Sequence, residues 1–78
     1  MHAQQQAKTV TGTVTDVSGE PIIGANIRIK GTTTGTITDI DGNFSIKAEP
    51  QSVIEVSYIG YLTQETVINN QKKYPFFY

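Results

Sequence analysis

Lys8-Thr9-Val10-Thr11-Gly12-Thr13-Val14-Thr15 is the stretch that decides the fold class. Val10, Gly12 and Val14 fall on one side of an extended chain, and four threonines fall on the other. That period of two marks a strand with one buried face; a helix would spread the same residues around its circumference. Gly12 in mid-strand implies that another group comes close to the backbone there. The composition extends the reading to the whole chain. Thr, Ile and Val supply 27 of 78 residues, against one Leu, Leu62, and one Met. Branching at Cβ stiffens χ1 and suits a pleated surface. The chain is all-β.

Working outward, 16–21 (Asp-Val-Ser-Gly-Glu-Pro) is a turn, with Gly19 free to take positive φ and Pro21 unable to donate to a ladder. A second strand is predicted over 22–30, where Ala25, Ile27 and Ile29 alternate with Asn26, Arg28 and Lys30, and Gly24 marks a bulge or bend. A polar loop, 31–35, precedes a short third strand over 36–39. Asp41-Gly42 then reads as a hairpin turn, with both positions at positive φ. The fourth strand, 43–47, points Phe44 and Ile46 inward. After a turn around Pro50, the fifth strand, 53–58, buries Ile54, Val56 and Tyr58. Gly60 breaks the run, and a sixth strand over 61–68 has no clear facing. The inward set is Val10, Val14, Ile23, Ala25, Ile27, Ile29, Phe44, Ile46, Ile54, Val56, Tyr58 and Tyr61. Turn signals roughly every ten residues predict a small antiparallel β-sandwich or barrel of about seven short strands. Parallel pairing through helical crossovers is excluded, since no segment can form the helix. The domain is expected over 8–69, with a disordered lead at 1–7 and a tail or linker start at 70–78.

The same residues exclude most chemistry. The chain has no Cys and a single His, His2, so disulfides, thiol catalysis and a Cys/His zinc site are ruled out. Six basic residues against seven acidic give a net charge of −1, and Lys72-Lys73 is the nearest approach to the basic stripe that nucleic acid requires. No apolar run approaches the roughly 20 residues of a spanning helix. Asp39 and Asp41 could pair as acid and base, but the turn already accounts for them. A calcium loop at 39–43 would need a ligand where Ile37 stands and a later bidentate Glu. A nucleophile would lack a positioned base, and the 31–35 loop lacks the Lys-Ser/Thr of a phosphate cradle. Phe44, Tyr58 and Tyr61 could form a platform for a sugar or peptide, although their spacing favours core or rim. The residues therefore describe a non-catalytic module without a cofactor. Its trade is contact, with sheet edges open to a partner's strand or to a second copy as an edge-strand dimer. A small ligand- or carbohydrate-binding module is the alternative.

Gly12-x-Val14-x-Asp16-x-x-Gly19-x-Pro21-Ile22-x-Gly24-Ala25, then Thr38-Asp39-x-Asp41-Gly42-x-Phe44, then Ser57-Tyr58-Ile59-Gly60-Tyr61 occur in that order. This punctuation resembles the carboxypeptidase-regulatory-like domain, a transthyretin-like (prealbumin-like, Ig-like) sandwich. More narrowly, it resembles the N-terminal extension of SusC-type TonB-dependent outer-membrane transporters of Bacteroidetes. The likeness spans residues 10–68. It implies a module on the periplasmic face of the outer membrane, ahead of the plug and barrel of an importer of glycans or peptides. The implied partners are that plug and barrel, TonB or another periplasmic protein, and, through the parent, a SusD-like lipoprotein. It implies no catalytic residues, and it leaves the tail after Asn70 unexplained.

Overall fold

Alternation and branching produce seven strands in the computed structural model, which describes residues 7–69, 71 and 73–78. They are β1 (Lys8–Thr15), β2 (Asn26–Ile29), β3 (Gly35–Ile37), β4 (Asn43–Ala48), β5 (Val53–Ser57), β6 (Gln64–Val67) and β7 (Lys73–Phe77). Among the described residues there is no helix. The strands form a three-stranded sheet, β4-β1-β7, and a four-stranded sheet, β3-β2-β5-β6. The first expected strand has the bounds read from its sequence, and its Val10, Gly12 and Val14 are buried.

One sheet contributes Val10, Val14, Phe44, Ile46, Ala48, Tyr74 and Phe76 to the core, and the other contributes Ile27, Ile29, Ile54 and Val56. Burying one apolar face of each sheet against the other is the main stabilising term, at about 25 cal/mol per Å² of apolar surface removed from water. Ile22, Ala25 and Ile68 close the core from the connecting segments.

Several sequence expectations are corrected. The second strand begins at Asn26, because a turn at 23–24 with Gly24 at φ 78° interrupts the alternation. Ile22 precedes that turn, donates its N–H to the Val14 carbonyl at 2.9 Å, and is buried. Ile23, expected inward, is 54% exposed. The sixth strand begins at Gln64, and Tyr61 is half exposed outside it. Asp41-Gly42 is not a two-residue hairpin turn, because β3 and β4 belong to different sheets. The chain crosses from one sheet to the other through a 39–42 turn closed by the Gly42 N–H on the Asp39 carbonyl at 2.9 Å. Only Gly42 has positive φ there, at 74°.

The 70–78 stretch read as a tail carries β7, which pairs with β1 in parallel, so the sandwich is not wholly antiparallel. No helical crossover is involved; the two are the first and last strands. Pro75 opposes Thr13 in this edge strand, where one side needs no donor. The lead expected over 1–7 lies, apart from the exposed Ala7, outside the described residues, as do Asn70 and Lys72.

Thr38 ties the two connecting segments together. Its hydroxyl donates to the Ile22 carbonyl at 2.6 Å and accepts from the Ala25 N–H at 2.9 Å, while 2% exposed. Replacing it by Val keeps the shape and orphans two buried backbone groups. Thr38→Val should cost about 1–3 kcal/mol, lowering Tm by about 4–8 °C per kcal/mol in a domain of this size. Thr38→Ser retains both bonds and should lose less. Thermal melts of the two variants side by side check this, and equal losses would contradict it.

Candidate interaction surface

The register fixes which loops meet. β1 and β7 run toward the end at which β2, β4 and β6 begin and β3 and β5 finish. The 16–25, 38–42 and 58–63 segments and Tyr78 therefore share one end of the sandwich.

Each loop is built by local hydrogen bonding. In the first, an Asp16 Oδ1 accepts the Ser18 N–H at 2.8 Å, the Ser18 hydroxyl at 2.7 Å and the Glu20 N–H at 3.0 Å. In the second, an Asp39 Oδ1 accepts the N–H groups of Asp41 and Asn43, both at 2.9 Å. These are Asx-type turns, in which a short acidic side chain substitutes for a backbone partner. Gly42 is enforced twice. Its φ of 74° disfavours an L side chain, and a Cβ would press within 2.6 Å of the Val14 carbonyl and 3.0 Å of Pro21 Cβ. In the third loop the Tyr61 N–H closes a turn on the Tyr58 carbonyl at 3.1 Å. Tyr58, Tyr61 and Tyr78 form a ladder, with ring centroids 6.0 and 4.8 Å apart.

Contacts link the loops into one surface. Tyr61 leans on Tyr78, whose N–H donates to the Thr15 carbonyl at 2.9 Å and whose hydroxyl donates to the Val56 carbonyl at 2.9 Å. Thr15 bridges to Pro21, and Pro21 lies against Gly42. Burial raises the Tyr78 hydroxyl above its ordinary pKa.

The sequence-singled residues thus separate into two groups. Gly19, Pro21, Gly24, Asp39, Asp41, Gly42, Tyr58, Gly60 and Tyr61 all lie at the loop end. Gly12 and Phe44 lie in the core, the Phe44 ring packed 6.2 Å from that of Phe76. Tyr78 was missed, because a terminal aromatic after Pro75 carries no periodic signal.

Chemically the surface is apolar and acidic. Val17, Ile40, Ile59 and Leu62 are 90%, 73%, 91% and 88% exposed. The charged residues of the three loops are Asp16, Glu20, Asp39 and Asp41, with no Lys or Arg. Among the described residues no group of three or more His, Cys, Asp or Glu converges on a point that could hold a metal ion. The Tyr rings contact one another, and Tyr61 keeps half of its surface exposed. At the opposite end a cleft of about 680 Å³ opens near Val10, Ala48, Ile68 and Tyr74, with Lys8 as its only charged lining residue among those described. Thr9, Gln51, Asn69 and Gln71 also line it, and the Tyr74 hydroxyl already donates to the Asn69 carbonyl and accepts the Asn69 N–H.

The Asp16 bonds set a pH dependence. The Ser18 hydroxyl and then the Glu20 N–H hold the carboxyl below its ordinary value of 3.8. A carboxyl lowered on folding adds stability that is present above the unfolded value and disappears as pH falls through the folded one. Asp16→Asn should therefore be less stable than the parent at neutral pH and converge with it in acid. Urea titrations at pH 6 and at successively lower pH check this; a gap that is constant with pH would contradict it.

A family model, the CarboxypepD_reg-like domain, matches residues 10–76. The TonB-dependent receptor SusC of Bacteroides thetaiotaomicron is 56% identical over 66 residues, covering 85% of this chain and 7% of that protein. The TonB-dependent receptor P39 of Formosa agariphila is 50% identical over 64 residues, covering 81% of this chain and 6% of that protein. The chain thus spans less than a tenth of these relatives. Among solved structures, a chain from a type II cohesin–X-dockerin complex of Acetivibrio cellulolyticus matches with a TM-score of 0.68 at 27% identity, over 88% of this chain and 52% of that one.

Proposed function

The chain belongs to the CarboxypepD_reg-like domain family, and from that membership we propose that it serves as an accessory contact domain of a SusC-like TonB-dependent outer-membrane importer. The observation that carries this reading is the 56% identity with the N-terminal region of SusC. The domain sits on the periplasmic face, ahead of the plug and barrel that carry out import of a glycan or peptide. It performs no catalysis; its loops are closed by their own hydrogen bonds, and its exposed chemistry is that of a binding surface. Its partners are the plug and barrel of the parent, TonB or another periplasmic protein, and a SusD-like lipoprotein reached through the parent.

Energy for import comes from elsewhere in such a system, so the domain's contribution is positional. It holds a surface at a defined place relative to the barrel. The test is an in-frame deletion of the domain from the parent importer, with substrate uptake and outer-membrane assembly measured separately. The reading expects one or both to fall. Unchanged uptake together with unchanged assembly would overturn it.

A further inference from the structure

We propose that the loop end of the sandwich docks a protein surface that carries Lys or Arg around an apolar centre. The inference deepens the contact role proposed above and rests on it.

Exposed large side chains are unevenly placed. Ile23, Ile40, Ile59, Leu62, Val17 and Phe77 are all exposed at this one end. At the opposite end the comparable residue among those described is Val67, near the end of β6. Isolated exposed apolar residues are ordinary on small domains, but a cluster confined to one end marks an interaction site. The backbone beneath the cluster is fixed by the Asx turns and the Tyr ladder, so little ordering entropy is lost on docking.

Charge selects the partner. Asp16, Glu20, Asp39 and Asp41 surround the cluster without a cation, whereas the described basic residues Lys8, Arg28, Lys30, Lys47 and Lys73 lie on strands or at the far end. Two of those are already engaged, Arg28 with Glu55 at 3.9 Å and Lys30 with Glu65 at 3.1 Å. Among the described residues, the carboxylates of Glu20 and Asp41 accept no hydrogen bond from the loops, in contrast to those of Asp16 and Asp39. A second copy in a two-fold arrangement would set four carboxylates against four, which is repulsive. An anionic lipid surface is disfavoured for the same reason. A basic rim around an aliphatic or aromatic centre is complementary in both respects, with apolar anchors giving affinity and charge giving rate and specificity.

The experiment is an NMR titration of the ¹⁵N-labelled chain with a short amphipathic Leu/Lys peptide and, separately, its Leu/Glu counterpart. The expected result is saturable shifts confined to 16–24, 38–42 and 58–62, with the Leu/Glu peptide at least about tenfold weaker. Ile59→Ser/Leu62→Ser alters only exposed side chains and should weaken Leu/Lys binding about tenfold without moving Tm. Glu20→Gln/Asp41→Asn should weaken it and flatten its salt dependence. No binding, equal binding of both peptides, or shifts centred on a sheet edge would overturn the proposal. So would dimerisation through this end, detected by sedimentation, or binding to anionic vesicles. The importer reading is tested separately by the domain deletion, so a failed titration beside a damaging deletion removes this surface alone.

Discussion

Gly12→Val should leave the domain largely unfolded at room temperature. A Cβ at Gly12 would overlap the Phe44 ring and the Tyr74 backbone carbonyl, which come from the two strands flanking β1. A ring can swing aside, but the carbonyl belongs to β7, which is held in register against β1. Overpacking a core costs about 1–3 kcal/mol, and more where backbone must move. Total stability for 78 residues is about 4–12 kcal/mol, so overpacking alone takes a sizeable share and displacing the β7 backbone takes the rest of a modest margin. Gly12→Ala should already lower Tm by more than about 10 °C. Adding Phe44→Leu relieves only the ring and should rescue little. Circular dichroism melts of the three variants decide the matter; a Gly12→Val protein melting with the parent would refute this packing.

Deleting residues 73–78 should abolish cooperative folding. From sequence those residues fall in a tail or linker start at 70–78, yet they form the third strand of one sheet and bury Tyr74 and Phe76 to 2% and 4% exposure. Losing one such aromatic costs about 3–5 kcal/mol. Losing both, with five registered pairs along β1, exceeds what a domain of this size holds in reserve. Tyr74→Phe, in contrast, removes only the hydroxyl that bonds Asn69 and should cost about 1 kcal/mol. A truncated chain with a dispersed amide spectrum and a sharp urea transition would show that β7 is an appendage after all.

Local pattern carried the fold as far as local physics reaches. The alternation in β1, β4 and β5 was legible because each strand buries one face against a single opposing sheet. The alternation through Ala25, Ile27 and Ile29 points Ile23 inward in place of Ile22, since the deciding facts, a turn at Gly24 and a hydrogen bond to Val14 across the chain, are not local. The apolar run at 74–78 is too short to mark a strand by pattern alone, and Pro75 is tolerable only in an edge position such as the one beside β1. Asp39, Asp41 and Gly42 announced a turn correctly. Whether that turn joins neighbours in one sheet or crosses between two depends on pairings far away in sequence. The loop-end surface was half visible for a similar reason. Its glycines, aspartates and tyrosines stand out as punctuation, but their convergence at one end follows from strand order.

The side-by-side parallel course of β1 and β7 has a mechanical consequence. β1 starts at one end of the sandwich and β7 finishes at the other, so tension applied between the residues flanking the domain runs along their shared ladder. The five pairs from Thr11↔Lys73 to Thr15↔Phe77 are then loaded together in shear rather than peeled one at a time. Pulled from its two ends in an optical trap, the domain should rupture at a higher force than when gripped across β5 and β6. Their antiparallel ladder can open like a zip. The tie between first and last strand makes this small sandwich a tensile link.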